Sequence, residues 1–277
     1  MKILPGALCI ACFTTNIAAQ PYPNRPIRNI VPLAPGGGTD TVARLVSAKL
    51  SELLGQQIVI DNRGGGGGVV GTEIAAKSAP DGYTLLMGSI STNAVNPALY
   101  KKLPYDPLRA FAGVSMIGTV PNVLVVHPSV PAKSMKEFLA YAKGGKVSYG
   151  SSGIGSATHL SMELIRGMTG VAMTHVPYKG AGAAVADVLG GQLQALCSSL
   201  AGLLPHIKSG RVRALGVTTL KRNPQLPDVP TLDESGLAGY EVTIWYAFYV
   251  PTGTPRTAIT KLNRSEEHTS ELQSRFG

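Results

Sequence analysis

The feature that most constrains this chain is a regular alternation of short β-rich runs, glycine-rich turns and amphipathic stretches. Residues 28–32 form a β-rich run, residues 35–40 form a glycine-rich turn, and residues 41–54 carry apolar side chains at helical spacing. Residues 57–61 return to a β-rich run. Alternating strands and helices favour βα units around a largely parallel sheet, so the sequence predicts an α/β fold.

The second half of the chain repeats this order with a different sequence. Its β-rich runs lie at residues 122–127, 146–150, 171–176, 192–197, 212–218 and 241–250. Ser134 and Glu137 have the spacing of a capping box at the start of a helix. We expect one strand to leave the first lobe near residue 120 and another to return near residue 241. This predicts lobes at residues 21–120 and 121–240, with residues 241–263 returning to the first lobe.

Length and composition agree with two globular lobes. The 277 residues are 44% hydrophobic and 15% charged, which excludes a disordered chain and a coiled coil. The formal net charge is +9. Because the basic residues are scattered, with no basic run interleaved with aromatics, we expect no nucleic-acid partner. A basic surplus of this kind steers anionic ligands or maintains solubility.

The first twenty residues have the parts of a secretory signal peptide. Met1 and Lys2 precede an apolar run of small residues, and a cleavage site near Ala18 or Ala19 follows. The alternative, a buried N-terminal strand, fits Pro5 poorly. Export from the cytoplasm is therefore expected. Removal of the leader would leave Cys197 as the only cysteine, which excludes an intrachain disulfide.

Residues 264–277 differ in composition from the rest of the chain. They change abruptly to Ser- and Glu-rich sequence in the middle of a helix that begins after Pro255. The string resembles a translated sequencing adapter, so we expect a non-native tail; a genuine polar helix is the alternative.

Two glycine-rich turns are candidate anion sites. Residues 35–40 and 151–156 each stand between a strand and a helix. Free N–H groups and the helix dipole attract anions at such positions. The alternative is that the glycines only permit the turn and that Thr39 and Asp40 only cap the helix. Because Asp40 would repel a carboxylate beside it, we expect it to cap or to hold a water.

Several catalytic patterns are weak or missing. Residues 66–71 fit the dinucleotide fingerprint, but a run of five glycines matches that pattern with little specificity. The ribose-binding acid is also missing. Ile154 stands where a nucleophile elbow requires glycine. The histidines have no metal-binding spacing, and Cys197 is predicted to be a small core residue. We therefore expect no enzyme activity, cofactor or metal.

Seven motifs carry a family resemblance that covers residues 22–263. They are YPNRPI (22–27), VPLAPGGGTD (31–40), APDGYTLL (79–86), NPALY (96–100), PYDP (104–107), HVPYKG (175–180) and LPDVPT (226–231). In this order they resemble the Bug family of periplasmic solute receptors of tripartite tricarboxylate transporters. The resemblance implies a type II periplasmic binding protein fold, in which two βα lobes joined by a two-strand hinge close on one small ligand.

The resemblance also implies a ligand and its contacts. Ligands in the family are typically carboxylates, di- and tricarboxylates among them, or related small molecules such as amino acids and nicotinate. They are commonly held by backbone amides, hydroxyls and bridging waters. The expected first-lobe contacts are Gly37, Gly38, Thr39, Asp40, Ser89, Ser91, Thr92 and Asn93. The expected second-lobe contacts are Ser151, Ser152, Gly153, Ser156, His159, Tyr178, Lys179, Gly180 and Ser198. The implied partners are a carboxylate and the membrane permease subunits, and the receptor is expected to be a monomer.

The chain departs from the family at three places. Ser198 and Ser199 stand where an Asp-Asn pair is frequent, which puts amine-bearing ligands in doubt. The five glycines after Arg63 replace a Pro and an Ala, which indicates a looser turn. The chain also stops where the family continues into first-lobe helices.

Two alternative functions remain. One is a receptor that signals to a sensor without transport, and the other is an NAD-dependent enzyme using residues 66–71.

Overall fold

The computed structural model describes residues 21–145 and 147–267. The strands are β1 (Ile27–Val31), β2 (Ile58–Asn62), β3 (Thr84–Ser89), β4 (Phe111–Val126), β5 (Ser148–Ser151), β6 (Thr174–Pro177), β7 (Ala195–Ser199), β8 (Arg213–Val217) and β9 (Thr243–Pro251). The helices are α1 (Gly38–Leu54), α2 (Val69–Ala76), α3 (Asn96–Leu99), α4 (Met135–Ala142), α5 (Ala157–Thr169), α6 (Ala181–Leu189), α7 (Leu200–Lys208) and α8 (Arg256–Glu267). A 3₁₀ turn (Gly66–Gly68) precedes α2, and a π-helical turn (Ser91–Val95) precedes α3.

The predicted leader lies outside the described residues, as do residues 268–277 of the predicted tail. No helix in the described part of the chain has both the length and the apolar composition to cross a bilayer.

The first lobe is built around parallel strands, as predicted. β1 lies between β2 and β3 and runs parallel to both, with Ile27 opposite Ile58 and Arg28 opposite Thr84. β9 pairs antiparallel with β3, and the first part of β4 pairs antiparallel with β9. α1 covers this sheet with Val42, Val46 and Leu50, which recur at helical spacing and are buried.

The second lobe repeats the arrangement. β5 lies between β6 and β7 in parallel register, and the last part of β4 pairs antiparallel with β7 and β8. The end of β4 is buried on both faces: Leu124 belongs to one core cluster, whereas Val123 and Val125 belong to another. Cys197 is a buried core residue in β7, as predicted.

β4 is longer than the sequence predicted. The predicted strand, residues 122–127, is only the end of a 16-residue strand that passes from one lobe into the other. Register shifts between Gly113 and Ser115, and between Met116 and Gly118, interrupt the pairing with β9. These irregularities break the two-residue alternation by which a strand is recognised, which explains why residues 111–121 were missed.

The connection between the lobes is stapled by one buried threonine. The Thr218 hydroxyl accepts a hydrogen bond from the Asn122 N–H (2.9 Å) in β4 and donates to the Val242 carbonyl (2.5 Å) just before β9. The Thr218 backbone joins the same two residues through its N–H and C=O. The two chain crossings between the lobes are therefore bound to each other, which makes residues 121–122 and 242–243 the hinge.

The predicted capping box at Ser134 starts a helix, and a similar pair of hydrogen bonds closes a turn near Thr231. The Ser134 hydroxyl accepts the Glu137 N–H at the start of α4. Thr231 and Glu234 make reciprocal hydrogen bonds, yet residues 231–236 form turns rather than a helix.

Candidate functional site

The lobes meet around a small cavity at the ends of several strands. Its volume is ≈ 20 Å³, which is room for about one water molecule. The lining residues are Leu33, Ala34, Gly37, Gly38, Thr39, Ser89, Ser91, Ser152, Ser156, Ala157, Thr158, Ala181, Ser198, Ser199, Ile244 and Tyr246. None of these described lining residues is an Asp, Glu, Lys, Arg or His. The cavity is therefore lined by hydroxyl groups, backbone and apolar side chains, without charged side chains.

Three helix N-termini converge on this cavity. α1 begins after Gly37, α6 after Gly180 and α7 after Ser199, and within the described chain none of these three residues makes a side-chain capping hydrogen bond. The first N–H groups of such helices have no partner inside the helix, and the helix dipole makes these ends positive. Backbone amides from both lobes thus supply the positive potential that an anion requires.

The N-terminus of α5 is closed by hydroxyls. Ser156 accepts the His159 N–H and donates to the Gly153 carbonyl (2.7 Å). Ser91, in the first lobe, accepts the Ala157 N–H (2.9 Å) across the cleft. These bonds fix the position of α5, whereas the described chain provides no side-chain cap for the first amides of α1, α6 and α7.

A tyrosine from the hinge strand β9 forms one wall. The Tyr246 side chain is buried, and its hydroxyl lies beside Thr39 and Ser199. Burial raises the pKa of Tyr246 more than these hydroxyls lower it, so the phenol stays neutral. A neutral phenol can donate a hydrogen bond to an anion in the cavity.

The Asp40 carboxylate stabilises the first-lobe turn through hydrogen bonds. One carboxylate oxygen accepts the Gly36 N–H (3.0 Å) and the Arg44 Nε–H (3.0 Å), and the other accepts the Asn62 amide (3.0 Å). Burial raises the pKa of Asp40, but these hydrogen bonds outweigh it and hold the pKa below its ordinary value. Asp40 caps the turn, as expected, and is not among the residues that line the cavity.

A histidine pair supports the second-lobe turn from behind. The Ser151 hydroxyl lies 2.7 Å from His175 Nε2, and His159 Nδ1 accepts the Gly155 N–H (3.2 Å). The two imidazoles stack with centroids 4.0 Å apart. Burial, followed by the charge of His159, lowers the pKa of His175 to about 4. Both histidines position the turn, and neither lines the cavity.

The structure brings eight of the seventeen predicted contact residues into the lining: Gly37, Gly38, Thr39, Ser89, Ser91, Ser152, Ser156 and Ser198. The other nine lie around it: Asp40, Thr92, Asn93, Ser151, Gly153, His159, Tyr178, Lys179 and Gly180. Thr92 hydrogen-bonds Ser89 and Asn93 inside its own loop. Tyr178 donates to Asp187, whereas Lys179 contributes its carbonyl to the Ala34 N–H and has an exposed side chain.

Several lining residues were not predicted from the sequence. Ala157 and Thr158 follow the predicted 151–156 turn, and Ala181 follows the predicted contact Gly180, so wider windows around these positions would have included them. Ser199 follows the predicted Ser198, at the end of β7. Tyr246 and Ile244 carried no local signal, because only the path of β9 past the hinge brings them to the cleft.

The comparisons with known proteins identify the family. The family described as "Tripartite tricarboxylate transporter family receptor" (TctC) matches residues 42–274. The chain belongs to this family. It is 43% identical over 272 residues to Protein BugT of Bordetella pertussis, covering 97% of this chain and 82% of BugT. A UPF0065 protein of Pseudomonas sp. strain P51 is 40% identical over 268 residues, covering 95% of this chain and 79% of that protein.

Solved structures of TctC relatives share the fold. The periplasmic binding protein BugD superposes with a TM-score of 0.88 at 38% identity, covering 92% of this chain and 86% of BugD. MatC of Rhodopseudomonas palustris, solved with bound malate, gives a TM-score of 0.86 at 34% identity, covering 92% and 88%. R. palustris Rpa4515, solved with adipate, gives 0.87 at 38% identity, covering 92% and 88%. The predicted Bug-family membership and two-lobe periplasmic binding fold are confirmed.

The glycine run at residues 64–68 lies where the two lobes touch, outside the cavity lining. Gly66–Gly68 form a 3₁₀ turn, the Gly67 carbonyl accepts the Asn96 amide, and the Gly66 carbonyl accepts the Tyr100 hydroxyl. Membership in a solute-receptor family points away from the dinucleotide enzyme.

Proposed function

We propose that this TctC protein is an exported receptor that binds one small carboxylate between its lobes and delivers it to the permease subunits of a tripartite tricarboxylate transporter. It acts as a monomer without cofactor, metal or catalysis. The observation that carries this proposal is the convergence of the α1, α6 and α7 N-termini on a cavity lined by hydroxyls.

The chemistry of the lining favours an anion that lacks an ammonium group. Backbone N–H groups and hydroxyls donate to carboxylate oxygens, and a water-poor cleft strengthens each of these bonds. An ammonium group would need an acceptor of negative charge. Asp40 directly follows the lining residue Thr39, but its carboxylate already accepts three hydrogen bonds outside the cavity. The malate and adipate of MatC and Rpa4515 are carboxylates of this kind.

Ligand entry requires the lobes to separate. The cavity between them has a volume of ≈ 20 Å³, far below the several hundred Å³ (about 300 to 1,000) of a small-molecule pocket. The Thr218 staple marks the axis about which the lobes would open and close again on the ligand.

A thermal-shift panel tests the proposal. The protein is heated with L-malate, adipate, succinate, citrate, L-aspartate and NAD, each at 1 mM. A ligand present at a hundredfold excess over its dissociation constant stabilises the folded state by about 2.7 kcal/mol. We expect a rise in Tm with at least one of the four carboxylates and a smaller one with L-aspartate. A rise with NAD alone would establish the dinucleotide alternative and contradict the proposal.

The delivery step needs a separate test, because a sensor receptor would bind the same ligand. Uptake of the radiolabelled carboxylate is measured in two strains that both carry the permease genes. One strain also expresses this receptor, and the other does not. Uptake that depends on the receptor supports transport, whereas binding without any effect on uptake supports the sensor alternative.

A further inference from the structure

Where the lobes touch, backbone meets backbone at glycines. An ideal Cβ added to Gly182, in the first turn of α6, would lie 2.1 Å from the Pro35 carbonyl oxygen of the other lobe. One added to Gly180 would lie 2.6 Å from the Ala34 nitrogen. Real Cβ atoms do not approach backbone this closely, so the observed contact between the lobes requires glycine at both positions.

Two glycines of the five-glycine run in the first lobe approach the second lobe equally closely. A Cβ on Gly67 would lie 2.6 Å from the Ile154 carbonyl oxygen in the second-lobe turn, and one on Gly64 would lie 2.6 Å from the Lys179 carbonyl oxygen. A Cβ on Gly153 would lie 3.4 Å from the Gly67 Cα. We call Gly64, Gly67, Gly153, Gly180 and Gly182 the closure seam.

The closure seam is continuous with the ligand site. Across the seam the Ala34 N–H donates to the Lys179 carbonyl (3.2 Å), and Ala34 itself lines the cavity. Gly180 precedes α6, whose first residue, Ala181, lines the cavity from the opposite lobe. The seam therefore fixes how near the amides of α6 come to those of α1.

We propose that the glycines of the closure seam are positioning residues for ligand binding, and that a single methyl group in the seam holds the receptor partly open. This inference rests on the proposed receptor function. In a partly open cleft, a ligand held by one lobe lies farther from the amides of the other lobe, and water enters between them. The affinity for the ligand therefore falls. The five-glycine run is then a closure surface rather than a looser turn.

Gly182→Ala is the most informative variant. Gly182 lies in α6, where Ala is the better helix former, so the substitution should leave folding intact. Gly167→Ala in α5 is the matched control, because a Cβ there meets no atom within 4 Å. Titration calorimetry with L-malate and adipate should show at least tenfold weaker binding for Gly182→Ala and less than twofold for Gly167→Ala. Equal affinities in all three proteins, or equal losses in both variants, would overturn the proposal.

A second pair removes backbone strain as an explanation. Gly67 and its neighbour Gly66 have φ of +62° and +56°, so Ala is similarly strained at either position. Only a Cβ at Gly67 would contact the other lobe, since one at Gly66 would meet Val69 of its own lobe at 3.4 Å. We expect Gly67→Ala to weaken binding at least fivefold more than Gly66→Ala. Equal weakening would contradict the seam.

A measurement without ligand separates failure of the seam from failure of the receptor function. Hydrogen exchange of the Ala34 N–H, followed by NMR, reports the bond to Lys179 across the seam. We expect faster exchange in Gly182→Ala than in the wild type and in Gly167→Ala, even if neither carboxylate binds. Unchanged exchange in Gly182→Ala would overturn the seam, whereas faster exchange together with no carboxylate binding would overturn only the receptor function.

Discussion

His159 and His175 stack with their ring centroids 4.0 Å apart, directly behind the turn that carries Ser152 and Ser156. Glu163 lies 3.8 Å from His159 and is also bonded to Arg166 and Tyr149. Protonating both stacked imidazoles would cost electrostatic free energy, because like charges at this distance repel. Burial lowers the pKa of both His159 and His175, so the pair is neutral in the folded state near pH 7.

This relationship predicts an acid-sensitive receptor. The folded pKa of His175, about 4, lies below the value near 6.5 of an unfolded histidine. The unfolded chain therefore binds more protons between these values, and stability falls as the pH drops from about 6.5 towards 4, by roughly 1 to 3 kcal/mol. Urea unfolding at pH 7.5, 6.0, 5.0 and 4.2 measures this loss. His175→Gln should flatten the curve, and an unchanged slope in that variant would assign the loss to other groups.

The hinge staple predicts a large effect from a near-isosteric change. Thr218→Val removes the hydroxyl that hydrogen-bonds Asn122 and Val242, and it leaves the buried Asn122 N–H and the half-buried Val242 carbonyl without that partner. The free energy of unfolding should fall by about 1 to 3 kcal/mol in urea denaturation. Thr219→Val, which removes only an exposed bond to the Lys221 carbonyl, should cost less than about 0.5 kcal/mol. Equal costs would mean that the staple does not stabilise the hinge.

Asp40 should act through the turn rather than through the ligand. Asp40→Asn should lower stability at pH 7 by about 1 to 3 kcal/mol, because charge-assisted bonds to Arg44 and Gly36 weaken. Since the folded pKa of Asp40 is depressed, its contribution is present above about pH 4 and is lost as the pH falls through the folded pKa. The difference between Asp40→Asn and wild type should therefore shrink by pH 2.5.

Urea unfolding at both pH values measures this difference, with exposed Asp228→Asn as the control. A large loss of carboxylate affinity in Asp40→Asn with unchanged stability would instead place Asp40 at the ligand.

Lys179 should contribute little to affinity at physiological salt. Its side chain is exposed, and its carbonyl, which the Ala34 N–H binds, survives in Lys179→Ala. We expect less than a threefold change in carboxylate affinity at 150 mM salt and a larger one at 10 mM, where long-range attraction is less screened. Calorimetry at both salt concentrations checks this. A tenfold loss at 150 mM would show that the ammonium group reaches the ligand.

Local sequence predicted the turns and helix starts but not which of them meet. The 35–40 and 151–156 turns follow from a strand, a glycine-rich loop and an amphipathic helix, all of which are local signals. That the α1 N-terminus faces Ala181 and Ser199 depends on the hinge, which places residues from distant parts of the chain together. No window of sequence contains that information.

Helix α5 shows a related limit. The sequence places Leu160, Leu164 and Met168 on one face, yet that face is substantially exposed, whereas Met162 and Ile165 are buried against the sheet. Two apolar faces at helical spacing were available, and periodicity alone did not indicate which one packs against β7.

The most direct test of the account is an amide NMR titration with the carboxylate that gives the largest thermal shift. We predict the largest chemical-shift changes at the first amides of α1, α6 and α7, those of Gly38, Ala181 and Leu200. Changes confined to residues 66–71, or none with any carboxylate, would contradict a carboxylate site between the lobes.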